Sequence, residues 1–117
     1  MAKTIRGTTP TVTFNLPFNV NTIQNVEVYF AQNDERLFTK GYNDCVLSGT
    51  TLSVTLKQRD TLLLDEEEKL QIQIRFRFVD GSVDATDIIK DKVGKLLSDE
   101  PIYSKRADAE EDEPDVN

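Results

Sequence analysis

The sequence predicts an all-β protein in which about seven short strands form two antiparallel sheets packed face to face. Apolar and polar residues alternate along most of the chain, and Asn, Asp, Gly and Pro recur between the alternating segments. A strand that is apolar on one side needs a second sheet to cover that side, whereas parallel strands beneath helices are apolar on both sides. We therefore expect a β-sandwich.

The clearest strand is the segment 70–78, LQIQIRFRF. A period of two directs its apolar side chains to one side of the strand and its polar side chains to the other. Burial of each apolar side chain contributes about 1.5 to 3 kcal/mol, and a slip of one residue would turn all of them outward. The inward set is Leu70, Ile72, Ile74, Phe76 and Phe78, and the outward set is Gln71, Gln73, Arg75 and Arg77.

Three strands are predicted in the first part of the chain. Residues 11–16, TVTFNL, alternate and end at Pro17, and residues 23–31, IQNVEVYFA, alternate again. The segment QNDE then forms a turn, because Asn and Asp tolerate left-handed backbone. The weaker strand RLFTKGY follows, and Gly41 within it indicates a bulge or a sheet edge.

The second part of the chain contains two hairpins joined by a crossing. DCVLS and TLSVTL form the first hairpin around Gly49, and KQRDTLLLD breaks the alternation as a helical turn between the sheets. Asp80-Gly81 closes the second hairpin. Along the return strand of this hairpin, the alternation of inward and outward residues breaks at Ile88-Ile89. This break predicts a bulge or two strand pieces near Asp87. A helix over 88–97 is the alternative, weakened by Gly94 and the β-branched residues.

Charge divides the chain into a domain, 1–98, and an acidic tail, 99–117. Of the net charge of −7, the tail carries eight acids and two bases, which give −6 and leave −1 for the domain. The tail offers almost nothing to bury and is predicted to be disordered. It is either a solubilising segment or an acidic arm that docks on a basic partner surface or mimics DNA. Binding to nucleic acid through phosphates is disfavoured in both parts.

Catalysis, metals and cofactors are not expected. The chain has no His and one Cys, so Cys45 lacks a base that would activate it and fits better as a small core residue. Asp80, Asp84 and Asp87 lie near a turn but do not match the spacing of a calcium loop. The sequence shows no apolar stretch of membrane-spanning length and no secretory signal, and the lone Cys fits synthesis in a reducing cytoplasm.

The candidate interface is the outward side of the 70–78 strand. Arg is enriched at protein interfaces, so Gln71, Gln73, Arg75 and Arg77 form either a contact surface or a solvated sheet face. Tyr29 has the same outward parity on its own strand. An exposed tyrosine ring is also the group that a glycan would stack on, although such a ring more often covers a sheet.

Three segments resemble a known group of proteins: TIRGTTPTVTFNLPFNVNTIQNVEVYFAQ, TLSVTLKQRDTLLLDEEEKLQIQIRF and DGSVDATDIIKDKVGKLL. They are similar to small proteins encoded in phages and prophages, and to the N-terminal domain of phage baseplate upper proteins. The resemblance covers roughly residues 4–97 and consists of a strand pattern with fixed turn residues. It implies an immunoglobulin-like sandwich in a virion, at the tail or baseplate, made in the cytoplasm of the host bacterium.

These observations favour a phage structural or assembly protein that acts through protein–protein contacts and is not an enzyme. Its expected partners are other phage structural proteins, as a homo-oligomer or on a ring-shaped partner, with no nucleic acid and no membrane. The alternatives are a module that binds a glycan on the host surface, and an acidic cytoplasmic inhibitor that mimics DNA.

Overall fold

The computed structural model describes residues 4–98 and 100–103. This part of the chain consists of short strands, one turn of α-helix and two 3₁₀ turns, at Val20–Thr22 and Tyr42–Asp44. The strands are β1 (Thr4–Ile5), β2 (Thr11–Asn15), β3 (Ile23–Gln32), β4 (Glu35–Lys40), β5 (Cys45–Ser48), β6 (Thr51–Thr55), β7 (Leu70–Phe78), β8 (Val83–Ala85), β9 (Ile89–Asp91) and β10 (Val93–Gly94), and the helix is α1 (Gln58–Thr61).

The strands form an immunoglobulin-like sandwich. Sheet I has the order β2-β6-β5, and sheet II has the order β4-β3-β7-β8, with β9 also paired to β7. These orders correspond to strands B-E-D and C′-C-F-G of an immunoglobulin domain. The short β1 runs parallel to β10. The prediction of an antiparallel sandwich is confirmed, and the strand count exceeds seven mainly because the last strand is broken into β8, β9 and β10.

The core lies between the two sheets, and β7 lines it as predicted. Leu70, Ile72, Ile74 and Phe76 are buried, opposite the buried residues of β3 in antiparallel register. Phe78 is only half-buried because it lies at the end of the sheet, where the ring of Phe18 packs edge-on against it at 5.0 Å. Sheet I contributes the facing side chains Val12, Phe14, Leu16, Leu52, Val54 and Leu56.

The predicted helical crossing between the sheets is α1. The Asp60 carboxylate accepts a hydrogen bond from the backbone N–H of Lys57 at 2.9 Å, which closes the first turn. Thr61 donates its hydroxyl to the Thr8 carbonyl at 2.8 Å. The Arg6 Nε donates to the Leu64 carbonyl at 2.6 Å. The crossing is therefore held to the connection between β1 and β2.

The return arm after Asp80-Gly81 is interrupted near Asp87, where a bulge or two strand pieces were predicted: β8 and β9 lie on either side of the break, and β10 follows as a third piece. Between β8 and β9, Thr86 bonds to β7 through both backbone and side chain: its N–H donates to the Ile74 carbonyl at 2.9 Å, and its Oγ1 accepts from the Ile74 N–H at 3.1 Å. Ile89 then resumes the pairing opposite Ile72. The alternative helix over 88–97 does not form, since these residues are in β9, β10 and their connections.

The acidic tail begins beside α1. Gln58 receives a hydrogen bond from the Ile102 N–H and donates one to the Ile102 carbonyl, each at 2.9 Å. Residues 99 and 104–117 lie outside the described residues, so the predicted disorder of the tail and the division at 98 and 99 stay predictions. No helix among the described residues has the length and apolar character needed to span a membrane.

Candidate interaction surface

The five predicted interface residues lie together on the outer side of sheet II. Tyr29 is directly opposite Gln73 in the register of β3 and β7, and residues opposite one another project from the same face. Arg75 is opposite Glu27 on that face. We call this surface the arginine face; its members from the sequence prediction are Tyr29, Gln71, Gln73, Arg75 and Arg77.

Polar contacts hold the two glutamines of the arginine face in fixed positions. Gln71 donates to the Asp34 carboxylate at 3.0 Å and accepts from the Asp34 N–H at 2.7 Å, which ties β7 to the turn between β3 and β4. Gln73 donates to the Thr86 carbonyl at 2.9 Å. These two amides therefore support the sheet, and less of their hydrogen-bonding capacity is available to a partner than the sequence pattern suggested.

Tyr29 is half-buried and held by two neighbours. Its hydroxyl donates to the Glu27 carboxylate at 2.6 Å. The guanidinium carbon of Arg36 lies 5.4 Å from the ring centroid, within cation–π range. One face of the ring is thus covered by a cation, which leaves less of it open for stacking on a sugar.

The arginine face is more basic than the sequence prediction stated. Arg36 is opposite Ala31, and Lys90 is opposite Gln71, so both project from this face beside Arg75 and Arg77. Glu27 supplies the one carboxylate among the described strand residues on this side. Sequence reasoning missed Arg36 because a register shift between Phe30 and Ala31 changes the parity of β4. It missed Lys90 because the break before β9 hides its register.

The cationic side chains of the arginine face differ in the contacts that they make with other residues. The Arg77 Nε donates to the Gln24 side chain at 2.7 Å, and Arg36 covers Tyr29. Within the described part of the chain, Arg75 and Lys90 make no side-chain hydrogen bond or ion pair, and both are exposed. These two cations are available to an anionic partner.

The arginine face contains two shallow depressions. One, of about 350 Å³, is bordered by Tyr29, Arg36 and the side chain of Ile88, which is 50% exposed. The other, of about 230 Å³, lies between Arg75, Arg77 and neighbouring residues of β3 and β8. Arginine side chains thus lie beside a tyrosine and the exposed apolar side chains of Ile88 and Val83, and arginine and aromatic residues are enriched at protein interfaces.

A second exposed feature is the edge of sheet I at β2. This strand pairs with β6 on one side, and no described strand pairs with its other side. A groove of about 570 Å³ opens beside it, between the two sheets. Because β1 is short and pairs with β10, it leaves this groove uncovered. The apolar lining comes from Phe14, Leu16, Phe18, Ile74, Phe76 and Ile89.

The outer side of sheet I differs from the arginine face in charge. Thr11 and Thr55 share a hydrogen bond of 2.7 Å, and Thr13 and Ser53 share one of 2.9 Å. These hydroxyls pair with each other across β2 and β6, and the outward residues of these two strands carry no charge. Cationic side chains are therefore concentrated on sheet II.

The remaining candidates for chemistry have local structural contacts. Cys45 is half-buried, its Sγ donates to the Gly41 carbonyl at 3.4 Å, and burial together with the nearby Asp44 carboxylate raises its pKa to about 11. The Asp80 carboxylate accepts from the Ser82 hydroxyl and N–H, which lowers the Asp80 pKa. No cluster of three or more potential metal ligands occurs among residues 4–98 and 100–103.

No protein-family model matches the chain, and neither a curated protein nor a solved structure matches it.

Proposed function

We propose that the protein is a structural or assembly component of a phage particle, at the tail or baseplate, and that it works through protein–protein contacts without catalysis. The observation that carries the proposal is the arginine face. It gathers Tyr29, Arg75 and Arg77 on one side of sheet II with two shallow depressions between charged groups. Arginine and tyrosine are among the residue types that contribute most to binding at interfaces.

The edge of sheet I supports the same function. Exposed strand edges pair readily with strands of other molecules, and β2 offers such an edge next to an apolar groove. A face and an edge on opposite sheets allow one copy to contact two neighbours. Repetition of such contacts produces rings, which are common in symmetric particles.

The sequence resemblance supplies the biological setting. The strand and turn pattern of residues 4–97 resembles that of small phage proteins and of the N-terminal domain of baseplate upper proteins, and this resemblance supports the proposal. In this proposal the partners are other phage structural proteins or further copies of this chain, and the mature location is the virion.

The direct test is mass spectrometry of purified particles from the source phage or an induced host. We expect the protein at a fixed stoichiometry relative to tail or baseplate components. A second arm uses the double variant Arg75→Glu/Arg77→Glu, which should lower incorporation. The matched control, Lys92→Glu/Lys95→Glu, makes the same change in net charge outside the proposed contact and should incorporate normally. Absence of the wild-type protein from particles would refute the virion role.

A further inference from the structure

The acidic tail has a complementary surface on the protein itself. Residues 107–117, ADAEEDEPDVN, contain six carboxylates and no base; we call them the acidic segment. The arginine face carries four cations, Arg36, Arg75, Arg77 and Lys90, against the carboxylates of Glu27 and of Asp34 at its border. Since the domain 1–98 has a net charge of only −1, this cationic excess is a local property of one face.

We propose that the acidic segment docks on the arginine face of the same chain. Arg75 and Lys90 are the primary contacts, because both are exposed and neither has a side-chain partner within the described residues. An arginine binds carboxylates through two parallel N–H donors, and a lysine acts as a point charge. The outer side of sheet I offers no comparable cations on β2 and β6, so the surfaces available to an acidic peptide are unequal.

The reach of the chain allows this contact. Gln58 holds Ile102 beside α1, which fixes the point from which the tail departs. The loop after α1 adjoins the end of sheet II where β7 begins, since the Gln32 side chain bonds to the carbonyls of Asp65 and Glu68. Residues 104–117 span up to about 50 Å when extended. The nine residues of β7 span about 30 Å.

Tethering favours the same chain over a neighbouring copy. Contacts between exposed charges are individually weak and are screened by salt. A short covalent connection raises the effective concentration of the segment at the face to the millimolar range. At micromolar protein concentration the intramolecular contact therefore predominates. The docking itself does not depend on the virion role. It would make the segment compete with an assembly partner for the arginine face, and this consequence alone rests on the proposed function.

The test is zero-length carbodiimide crosslinking of the full-length protein, which joins a carboxylate to a lysine amine only where they touch. An equal mixture of ¹⁴N- and ¹⁵N-labelled protein at micromolar concentration distinguishes crosslinks within one chain from crosslinks between chains. Lys105 adjoins the segment in sequence and is joined to it whether or not the segment docks, so it is left out of the comparison. Among the lysines of residues 4–98 we expect Lys90 to be the one most strongly joined to peptides that contain 108–115, in same-isotope pairs. In 0.5 M NaCl the yield should fall at least about threefold, because the Debye length shortens to a few ångströms.

Two single charge reversals complete the design. Arg75→Glu should lower the Lys90 crosslink at least about threefold, whereas Lys95→Glu, with the same change in net charge, should leave it nearly unchanged. Far-ultraviolet circular dichroism identical to the wild type establishes that each variant is folded. Equal crosslinking of the segment to lysines elsewhere, or no effect of Arg75→Glu, would overturn the proposal. As many mixed-isotope as same-isotope pairs, the proportion that random contact between chains gives in an equal mixture, would overturn it in favour of a neighbouring copy. Each result leaves the particle measurement unaffected.

Discussion

The Lys40 ammonium lies 2.6 Å from the Asp60 carboxylate, and the two side chains are only 4% and 8% exposed. Lys40 ends β4 in sheet II, while Asp60 lies in α1, so the ion pair joins a sheet to the crossing segment. The same carboxylate oxygen of Asp60 accepts the Lys57 N–H. Removal of either partner would therefore leave a buried charge without its counter-ion.

We predict that Lys40→Met lowers the free energy of unfolding by about 3 to 5 kcal/mol, because it leaves the buried Asp60 carboxylate without its cation. Urea denaturation measures the change. Lys69→Met, at an exposed lysine, should change stability by less than about 0.5 kcal/mol. The double variant Lys40→Met/Asp60→Asn should recover part of the loss, since it removes the unpaired charge. A loss below about 1 kcal/mol for Lys40→Met would mean that water reaches the site.

The close contact between Gly94 and Ile5 provides a test of the pairing of β1 with β10. A Cβ added at Gly94 would lie 2.6 Å from the Ile5 Cγ1 and 3.2 Å from the Ile5 Cα. Backbone atoms cannot move aside as a flexible side chain can, so we expect Gly94→Ala to cost about 1 to 3 kcal/mol. Gly41→Ala is the matched control, because its nearest neighbour would be 3.9 Å away. Thermal unfolding of the two variants makes the comparison, and equal midpoints would contradict the close approach.

The clamp between Gln58 and Ile102 gives a third prediction. Gln58→Leu removes both hydrogen bonds to the Ile102 backbone while keeping a similar volume. We expect faster hydrogen exchange at the Ile102 amide, and faster cleavage by a protease near residue 103. Gln73→Leu, which removes a bond to the Thr86 carbonyl, should leave exchange at Ile102 as in the wild type. An unchanged exchange rate at Ile102 in the Gln58→Leu variant would show that other contacts hold Ile102 beside α1.

Sequence pattern predicted the inward and outward sides of the strands because a period of two is set by backbone geometry alone. It also located the break in the return arm, where Ile88 interrupts the parity. The assembly of the arginine face from β3 and β7 follows from the same rule, since Tyr29 and Gln73 needed only a common outward side to meet.

The register between segments that are distant in the sequence could not be predicted from the alternation of apolar and polar residues. Arg36 joins the arginine face because of a bulge in the pairing of β3 and β4. The Lys40–Asp60 ion pair connects the end of β4 to α1. The sequence pattern did not predict that these two segments are neighbours. In both cases the deciding factor is the relative placement of two segments, which depends on the packing of the whole core.

The last prediction concerns the reactivity of Cys45. Burial, followed by the Asp44 carboxylate, raises the pKa of its thiol from 9.0 to about 11. Since the unfolded chain loses this proton near pH 9 and the folded chain near pH 11, the contribution to stability is complete below pH 9 and is lost as the pH rises towards 11. At pH 8 the thiolate fraction of Cys45 is about 10% in the unfolded chain and about 0.1% in the folded chain. Alkylation of the folded protein by iodoacetamide should therefore be about 100-fold slower than alkylation in denaturant. Asp44→Asn should speed native alkylation. A native rate within about threefold of the denatured rate would show that the thiolate forms without hindrance from burial.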